Sequence, residues 1–276
     1  MLSSCRGWLV AAALLMCIAS SMSEDKTQKK IPAYLADVEN IHLVSDPSDI
    51  LNVGDLKARK IFYTRDCQEL YQLGHTESGL YVIRPEGSSK LVVQCYMHDC
   101  DGWTVIQKNS FNTEITWAES WTSYKYGFGF IENDHWLGNY YINLITTQKW
   151  YKVKIILSDS SNHTRSAEYD SFHVKNADHG YMLRLGTYHG DAGDSLTNMA
   201  TKNMHDNMKF STHDQDNDRS TSSECADLHG GGWWYDSCYD AQLNRKNGIH
   251  WHTLCNHNCR SSLILVKPIH MYCNRV

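Results

Sequence analysis

The chain lacks the short motifs that mark the commonest classes of enzyme. It contains no G-x-S-x-G nucleophile elbow, no H-E-x-x-H metal-binding motif and no glycine-rich loop that could cradle a phosphate group. Its 15 histidines are scattered along the sequence and nominate no catalytic group. Because a catalytic triad is a spatial arrangement, a hydrolase stays the third and least favoured class of function. We predict a protein that is not an enzyme.

The chain also lacks a long run of basic residues, and its formal net charge is -5. Neither nucleic acid nor an anionic membrane is therefore expected as a partner. Its first apolar run, residues 8–18, is too short to cross a bilayer, and no second run of spanning length follows. Arg6 precedes this run and small residues follow it at 19–21 and 23, which is the layout of a cleaved signal peptide. We expect residues 1–23 to be removed and the mature protein to be secreted, extracellular and not inserted into a membrane.

Residues 24–65 are polar and charged, and they contain no cysteine. They have no Gly-X-Y repeat and no hydrophobic heptads sustained over about three or four repeats, which excludes a collagen stem and a long coiled coil. One short apolar pattern and two prolines, Pro32 and Pro47, indicate a short stalk or linker. Since this segment offers no usual means of forming a bundle, we predict a monomer or a weak oligomer.

Eight cysteines would remain after removal of the signal peptide. An even number in an oxidising compartment predicts disulfides. Eight cysteines permit about 105 pairings, so their spacing alone leaves the connectivity open. They are Cys67, Cys95, Cys100, Cys225, Cys238, Cys255, Cys259 and Cys273.

From residue 66 onward, short strand-like runs alternate with turn residues, many of them glycine. The predicted strands lie within residues 80–83, 91–96, 103–107, 151–157, 165–172 and 263–267. The helical candidates are few and short, at residues 67–73, 118–124 and 136–146. This pattern predicts a loop-rich domain of the α+β class.

Three aspartates, Asp214, Asp216 and Asp218, alternate with polar residues. Calcium takes about six to eight oxygen ligands from carboxylates and backbone carbonyls, and alternate side chains of an extended segment can converge on one ion. An EF-hand loop is excluded, because its glycine and glutamate positions hold Arg219 and Cys225. The alternative is a solvated acidic turn, since aspartate and asparagine favour turns.

A dense group of histidines and cysteines near the C-terminus could suit zinc. It comprises His250, His252, Cys255, His257 and Cys259. Secretion and the even cysteine count favour disulfides over zinc at these cysteines.

One N-glycosylation sequon is present, at Asn162, within a polar turn. A secreted protein exposes such a turn to glycosylation. We therefore expect Asn162 to carry a glycan.

Several blocks of sequence resemble the fibrinogen C-terminal domain family, which includes fibrinogen chains, ficolins, tachylectins and angiopoietins. The most specific block is the FSTxDxDND pattern at residues 210–218, followed by Cys225, a Gly-Trp-Trp-Tyr run at 232–235 and Cys238. Further blocks match in the family's order at residues 66–70, 78–81, 93–97, 102–107, 136–139 and 192–196. The resemblance covers roughly residues 66–268.

The resemblance implies a fibrinogen C-terminal-like globular domain over residues 66–276. Its parts would be a small disulfide-bonded N-terminal subdomain, a central antiparallel sheet joined by the C-terminal strand, and a loop-rich P subdomain at about residues 186–257. It also implies the disulfides Cys67–Cys95 and Cys225–Cys238. If the strand-like runs at 103–107 and 263–266 are antiparallel neighbours, Cys100–Cys273 and Cys255–Cys259 are the simplest remaining pairs.

The resemblance narrows the expected Ca²⁺ ligands to the Asp216 and Asp218 carboxylates and the backbone carbonyls near Ser220 and Ser222. The spacer between Asp218 and Cys225 departs from the family. It is one residue longer than in the fibrinogen gamma chain, and it has Ser-Thr-Ser-Ser where an aromatic residue and a glycine are usual. This departure bears on the carbonyl ligands and leaves the carboxylates in place.

In relatives a ligand pocket lies beside the calcium loop, next to a cis peptide that here would join Ser237 to Cys238. The matching pocket residues would be His229, Tyr235, Ser237, Cys238 and Tyr239, with further wall residues near Lys246 and Asn247. Since His229 and Lys246 stand where the fibrin-knob pocket has carboxylates, a cationic fibrin knob is not expected to bind. For Trp233, Trp234 and Trp251 we favour packing in the core over a role in the pocket.

Two functions follow from the resemblance. The first is a secreted ligand for a cell-surface receptor that makes contact through the P subdomain. The alternative is a soluble calcium-dependent lectin of innate immunity that binds acetylated glycans. The long pocket loop of acetyl-binding relatives is cut back here, since Asn244 runs almost directly into the Gly-Ile-His-Trp run at 248–251. This shortening and the missing oligomerisation stem favour the receptor ligand.

Overall fold

The computed structural model describes residues 63–200 and 203–269 of the chain. The helices are α1 (Cys67–Gln72), α2 (Trp121–Tyr126), α3 (Asn139–Thr147) and α4 (Cys225–His229), with a 3₁₀-helix at Ala177–His179. The strands are β1 (Gly79–Ile83), β2 (Leu91–His98), β3 (Asp101–Ser110), β4 (Phe128–Gly129), β5 (His135–Trp136), β6 (Tyr151–Ser158), β7 (Thr164–Val174), β8 (Leu183–Leu185), β9 (Tyr188–Gly190), β10 (Ala241–Gln242), β11 (Ile249–Trp251), β12 (Cys255–Cys259) and β13 (Ser261–Pro268).

The last strand, β13, lies in the middle of the main sheet. The strand order is β1-β2-β3-β13-β6-β7-β8, with antiparallel pairing between neighbours. Leu265 on β13 therefore faces Val105 on one side and Lys154 on the other. The strand joins two groups of hairpins that are far apart in sequence. This arrangement confirms the predicted α+β class and the central antiparallel sheet.

The strands could be predicted from sequence because their side chains alternate between core and surface. In β6 the buried positions are Tyr151, Val153, Ile155 and Leu157, and the residues between them are half-buried. Alternate residues of a strand lie on one face of the sheet. All six predicted runs lie in observed strands.

Two of the three predicted helices begin later than expected, and local chemistry explains both shifts. Ser120 is the N-cap of α2, where its Oγ accepts a hydrogen bond from the Ser123 N–H at 3.2 Å. Before α3, Trp136 belongs to β5, and Gly138 has a φ of 110° that a helix does not permit. The helix at residues 67–73 was predicted to within one residue.

A disulfide fixes α1 against the first strands. Cys67 is bonded to Cys95 of β2, in the predicted pairing, with a Cα–Cα distance of 5.6 Å. Gly102 at the start of β3 lies so close to the Cys67 carbonyl that a Cβ atom there would clash. Cys100 is also disulfide-bonded, and its predicted partner, Cys273, lies outside the described residues. The premise of that pairing is correct, because β3 and β13 are antiparallel neighbours.

An aromatic cluster connects the sheet to the segment that contains Phe210 and Trp234. The Trp136 ring lies 5.8 Å from both the Phe210 and the Trp234 rings, measured between centroids. The interpretation of Trp233, Trp234 and Trp251 as core residues is confirmed, since they are 1%, 2% and 0% exposed. The predicted site therefore rests on a packed core.

Two further predictions concern residues that are not described. The signal peptide at 1–23 and almost all of the stalk at 24–65 lie outside the described residues. Among residues 63–200 and 203–269, none of the helices is long and apolar enough to cross a membrane.

Candidate functional site

The predicted site lies in residues 191–200 and 203–260, which we call the loop region. The strands here are short, and β10, β11 and β12 form a small separate sheet. Cys225 and Cys238 form the predicted disulfide, with a Cα–Cα distance of 5.5 Å. The peptide bond between Ser237 and Cys238 is cis, as the resemblance implied. The disulfide and the cis peptide thus both involve Cys238, and the acidic turn contacts the other half of the disulfide, since the Cys225 N–H donates to Asp218.

The acidic turn is organised by its own backbone. Asp216 Oδ1 accepts a hydrogen bond from the Asp218 N–H at 3.0 Å. Asp218 in turn accepts from the Ser220 and Cys225 N–H groups, at 2.8 Å each. These two bonds to Asp218 connect the beginning of the longer spacer with Cys225 at the start of α4. Aspartates in turns commonly make such bonds to following backbone groups.

Asp216 and Asp218 lie together, whereas Asp214 does not join them. Burial, with the nearby Asp216 carboxylate adding to it, raises the pKa of Asp218. Asp214 instead accepts hydrogen bonds from the Trp121 N–H at 2.8 Å and from the Thr212 hydroxyl at 2.7 Å. The neighbouring cation, Arg219, pairs with another carboxylate, Asp236.

The carboxylates of Asp216 and Asp218 are donors of the type that a hard cation takes. Two adjacent carboxylates repel each other unless a positive charge lies between them, and Arg219 is directed to Asp236. Nowhere in the described chain do three or more His, Cys, Asp or Glu side chains lie close enough to hold a metal ion. An ion at Asp216 and Asp218 would therefore need further oxygens, and backbone carbonyls such as those of Ser220 and Ser222 are of the kind that calcium accepts.

The predicted pocket residues surround Tyr239. The His229 ring stands perpendicular to the Tyr239 ring, with 4.7 Å between centroids. Tyr235 lies 6.1 Å from Tyr239 but is fully buried, and its hydroxyl donates to the Gly231 carbonyl at 2.7 Å. Ser237 is exposed and Cys238 half-buried. Tyr235 is thus a structural wall, while His229 and Tyr239 are the rings that a ligand could reach.

Arg245, next to the predicted wall residues near Lys246, and two histidines that were not predicted for the pocket also contact it. Arg245 Nη1 donates to the Tyr239 hydroxyl at 3.1 Å. The rings of His250 and His257 stack on each other with 4.3 Å between centroids, at 5.3 Å and 6.2 Å from the Tyr239 ring. We call His229, Tyr239, Arg245, His250 and His257 the Tyr239 pocket.

The histidine pair had a signal in the sequence that we assigned to zinc or a disulfide. Cys255 is bonded to Cys259, which confirms the disulfide interpretation and removes both sulfurs as zinc ligands. The disulfide links the first and last residues of β12. Antiparallel pairing of β11 with β12 brings the His250 ring next to the His257 ring. Arg245 lies next to Lys246, near which the resemblance had placed part of the pocket wall.

The pocket histidines are poor bases in the folded protein. Burial, with smaller contributions from the neighbouring His257, His252 and Arg245, lowers the pKa of His250 to about 4. Burial also lowers the pKa of His229 and of His257, and Arg245 contributes at both. At neutral pH the three rings are therefore uncharged, and Arg245 supplies the positive charge.

The sequon residue Asn162 lies in the turn between β6 and β7. It is exposed, and its N–H donates to the Asp159 carbonyl at 3.0 Å. The turn was predicted correctly, and glycosylation of Asn162 stays a prediction.

The fold and site define a disulfide-linked domain in which a loop-rich region lies beside an antiparallel sheet. A family model described as the C-terminal globular domain of fibrinogen beta and gamma chains matches residues 63–263. The chain belongs to this family, as the sequence blocks had indicated. Members of the family are non-enzymatic, in agreement with our prediction.

Relatives with similar sequences are fibrinogen-like and angiopoietin-related proteins. Fibrinogen-like protein 1-like protein of Gallus gallus is 46% identical over 215 residues, which are 76% of this chain and 75% of that protein. Fibrinogen-like protein 1 of Homo sapiens is 36% identical over 245 residues, 81% of this chain and 77% of the relative. Such relatives are secreted proteins.

Solved structures agree with the sequence comparison. The fibrinogen-like globe domain of human ANGPTL2 superposes with a TM-score of 0.69 at 34% identity, covering 75% of this chain and all (100%) of that domain. Lamprey fibrin D-dimer, complexed with the peptide Gly-His-Arg-Pro-amide, gives a TM-score of 0.72 at 26% identity, covering 96% of this chain and 86% of the other.

Proposed function

We propose that this chain is a secreted ligand for a cell-surface receptor, and that it binds through the face formed by the acidic turn and the Tyr239 pocket. The observation that carries the proposal is a set of accessible, oriented polar rings beside a disulfide-fixed turn. Groups held rigidly in this way lose little conformational entropy on binding. The similarity to angiopoietin-related proteins supports a protein partner.

The alternative is a calcium-dependent lectin for acetylated glycans, and the paired carboxylates of the acidic turn favour it. Two observations weigh against it. The connection between β10 and β11 spans only residues 243–248. Within it Asn244 is fully buried, with its amide donating to the Gly232 carbonyl at 3.1 Å. The segment that would form an acetyl-binding pocket is thus short, and one of its residues is buried in the core.

We also propose that Asp216 and Asp218 hold Ca²⁺, with the Ser220 and Ser222 carbonyls among its other ligands. A bound ion would neutralise the repulsion between the carboxylates and stabilise the folded chain by mass action. Calcium should raise the melting temperature, and a chelator should reverse the effect. Asp216→Asn combined with Asp218→Asn should abolish the response.

Asp214→Asn is the matched control, because Asp214 lies in the same turn but is directed to Trp121 and Thr212. It should retain the calcium response. An equal response in the Asp216→Asn and Asp218→Asn double variant would exclude this pair as the site.

Receptor binding and lectin activity are separated by one pair of measurements. Labelled protein is tested for saturable binding to cells, and the same preparation is tested on a glycan array with and without chelator. The proposal expects binding to cells that survives enzymatic removal of cell-surface glycans, together with no signal on the array. Chelator-sensitive binding to acetylated sugars would replace it with the lectin function.

The peptide bound by lamprey fibrin gives a further contrast. Gly-His-Arg-Pro-amide is cationic, and in this chain the pocket contains Arg245 with Lys246 exposed beside it. We expect no measurable binding of this peptide by isothermal titration.

A further inference from the structure

The Tyr239 pocket is rich in hydrogen-bond donors and in groups that can take a positive charge. Arg245 donates to the hydroxyl of Tyr239, which leaves other guanidinium N–H groups to be satisfied. His229 is half-buried and His257 is exposed, so both rings reach the surface of the pocket. An imidazole can donate one N–H when neutral and two when protonated. This composition suits a ligand that accepts hydrogen bonds and carries negative charge.

The charges around the pocket point the same way. Arg245 is the largest charged influence on both His229 and His257, and no carboxylate is among the groups that shift the pKa of either ring. At His250 one carboxylate, Asp240, acts against the combined effect of His257, His252 and Arg245. Asp240 is itself buried and accepts a hydrogen bond from the Asn203 amide at 3.2 Å.

His250 is the most buried ring of the pocket. It is 5% exposed, and its Nδ1 atom has no hydrogen-bond partner among the described residues. A buried polar atom without a partner costs free energy. His257 covers this ring at 4.3 Å, so a negative group placed on His257 would also favour a proton on His250.

We propose that the Tyr239 pocket binds an acidic side chain of the protein receptor, with Arg245 as its ion-pair partner and His229 and His257 as N–H donors. The proposal rests on the receptor-ligand function proposed above and names the chemistry of the group that is recognised. Arginine pairs with carboxylates through two parallel hydrogen bonds, which adds direction to the charge attraction.

Binding of a carboxylate should depend on pH in a defined direction. A negative charge in the pocket favours protonated imidazole, so it raises the pKa of His229 and His257 from their lowered values. Affinity therefore increases as pH falls from 7.5 to 6.0, while the carboxylate of glutamate, with an unperturbed pKa of about 4.3, stays ionised. A neutral ligand gives no such dependence.

The probe is a pair of capped peptides, Ac-Gly-Glu-Gly-Glu-Gly-amide and its counterpart with glutamine at both glutamate positions. Histidine NMR signals of the whole protein are followed during titration at pH 7.5 and 6.0. We expect the glutamate peptide to shift the signals of His229 and His257 and to bind about fivefold more tightly at pH 6.0. The glutamine peptide should cause no shift.

Arg245→Gln should weaken binding of the glutamate peptide at least about tenfold, as expected for loss of a charge-assisted bidentate contact worth more than about 1.4 kcal/mol. Arg260→Gln is the matched control, since Arg260 is an exposed cation that packs over Phe111. Circular dichroism and melting temperature check that both variants fold. Equal binding of the two peptides, a pH-independent affinity, or an unchanged Arg245→Gln would overturn the proposal.

Two further results separate this inference from the function on which it rests. Wild-type protein that binds cells while Arg245→Gln binds them equally well would retain the receptor function and reject the pocket assignment. If wild-type protein binds no cells, the receptor function fails, and the peptide titration still decides the pocket chemistry. Shifts produced by a sialylated glycan, whose carboxylate belongs to a sugar, and by neither peptide would also reject an acidic protein side chain.

Discussion

The sheet region, residues 63–190 with β13, and the loop region satisfy their backbone polar groups in different ways. In the sheet region these groups bond to each other along the strands. For example, β13 pairs with β6 at eight consecutive positions, from Ser261 to Pro268. In the loop region individual side chains bond to the backbone instead. For example, Asp218 accepts hydrogen bonds from two backbone N–H groups. A ladder of backbone bonds tolerates most substitutions, whereas a bond to a side chain is lost with that residue. Substitutions in the loop region should therefore cost more and act more locally.

His205 provides the strongest test of this contrast. It is fully buried, and its Nε2 accepts from the Asp240 and Ala241 N–H groups at 3.1 and 3.0 Å. Its Nδ1 lies 2.8 Å from the Trp234 carbonyl and therefore carries the proton of the neutral ring. His205→Ala leaves these three backbone groups unpaired and opens a cavity, which should cost about 3–5 kcal/mol. Hydrogen exchange and urea denaturation measure the loss.

The expected pattern is loss of amide protection throughout the loop region, with the strands of the sheet region still protected. A uniform loss in both regions would contradict the idea that the two differ in how they are stabilised. Thr147→Ala is a suitable control in the sheet region, because the exposed Thr147 hydroxyl bonds only to carbonyls of its own helix, α3. It should leave both regions protected.

The same contrast explains how far the sequence could be interpreted. Strands such as β6 were predictable because an alternating pattern is a local property. The contact between Arg245 and Tyr239 follows no periodic rule, and Asp214, which belongs to the acidic pattern, is directed to the Trp121 N–H far away in sequence. The pairing of Cys225 with Cys238 came from family resemblance alone. Side-chain to backbone bonds between distant residues leave little trace in one sequence.

Acid should weaken the protein, and the two regions should respond differently. Burial lowers the pKa of His135 in the sheet region to about 4, and it also lowers the pKa of His205. The unfolded chain binds protons near pH 6.5 that the folded chain does not, so stability is greatest above that pH and falls as pH decreases towards 4. Between pH 7 and 5 the loss due to His135 should be about 2 kcal/mol.

His135→Gln should therefore flatten the pH dependence of the urea midpoint. In the wild type the loop region should lose hydrogen-exchange protection first, because protonation of His205 at Nε2 breaks two bonds from backbone N–H groups. His135 accepts no such bond at Nε2, which is unpartnered among the described residues. Simultaneous opening of both regions at pH 5 would argue against this order.

The pair of Arg219 and Asp236 tests a smaller effect in the loop region. Arg219 binds both carboxylate oxygens of Asp236 at 2.7 Å, and Asp236 is 5% exposed at its side chain whereas Arg219 is 60% exposed. Arg219→Ala leaves a buried carboxylate with the Met204 N–H at 3.1 Å as a remaining donor. The free energy of unfolding should fall by about 1–2 kcal/mol. The double variant Arg219→Ala with Asp236→Asn should recover part of this lost free energy, because it removes the unpaired charge. If the double variant recovers none, the loss is due to packing of the Arg219 side chain.

The smallest effect is expected for a similar ion pair on the sheet. Lys154 Nζ lies 2.9 Å from a Glu168 carboxylate oxygen, and both side chains are about one-third exposed, at 32% and 28%. The two residues are register partners on β6 and β7, so their strands stay bonded through the backbone when the ion pair is removed. Lys154→Ala should therefore lower the free energy of unfolding by less than about 1 kcal/mol, the usual range for exposed pairs. A urea titration at low and high salt measures this loss, which should shrink at high salt because exposed charges are screened. A loss as large as that of Arg219→Ala would mean that the sheet, like the loop region, depends on individual side chains.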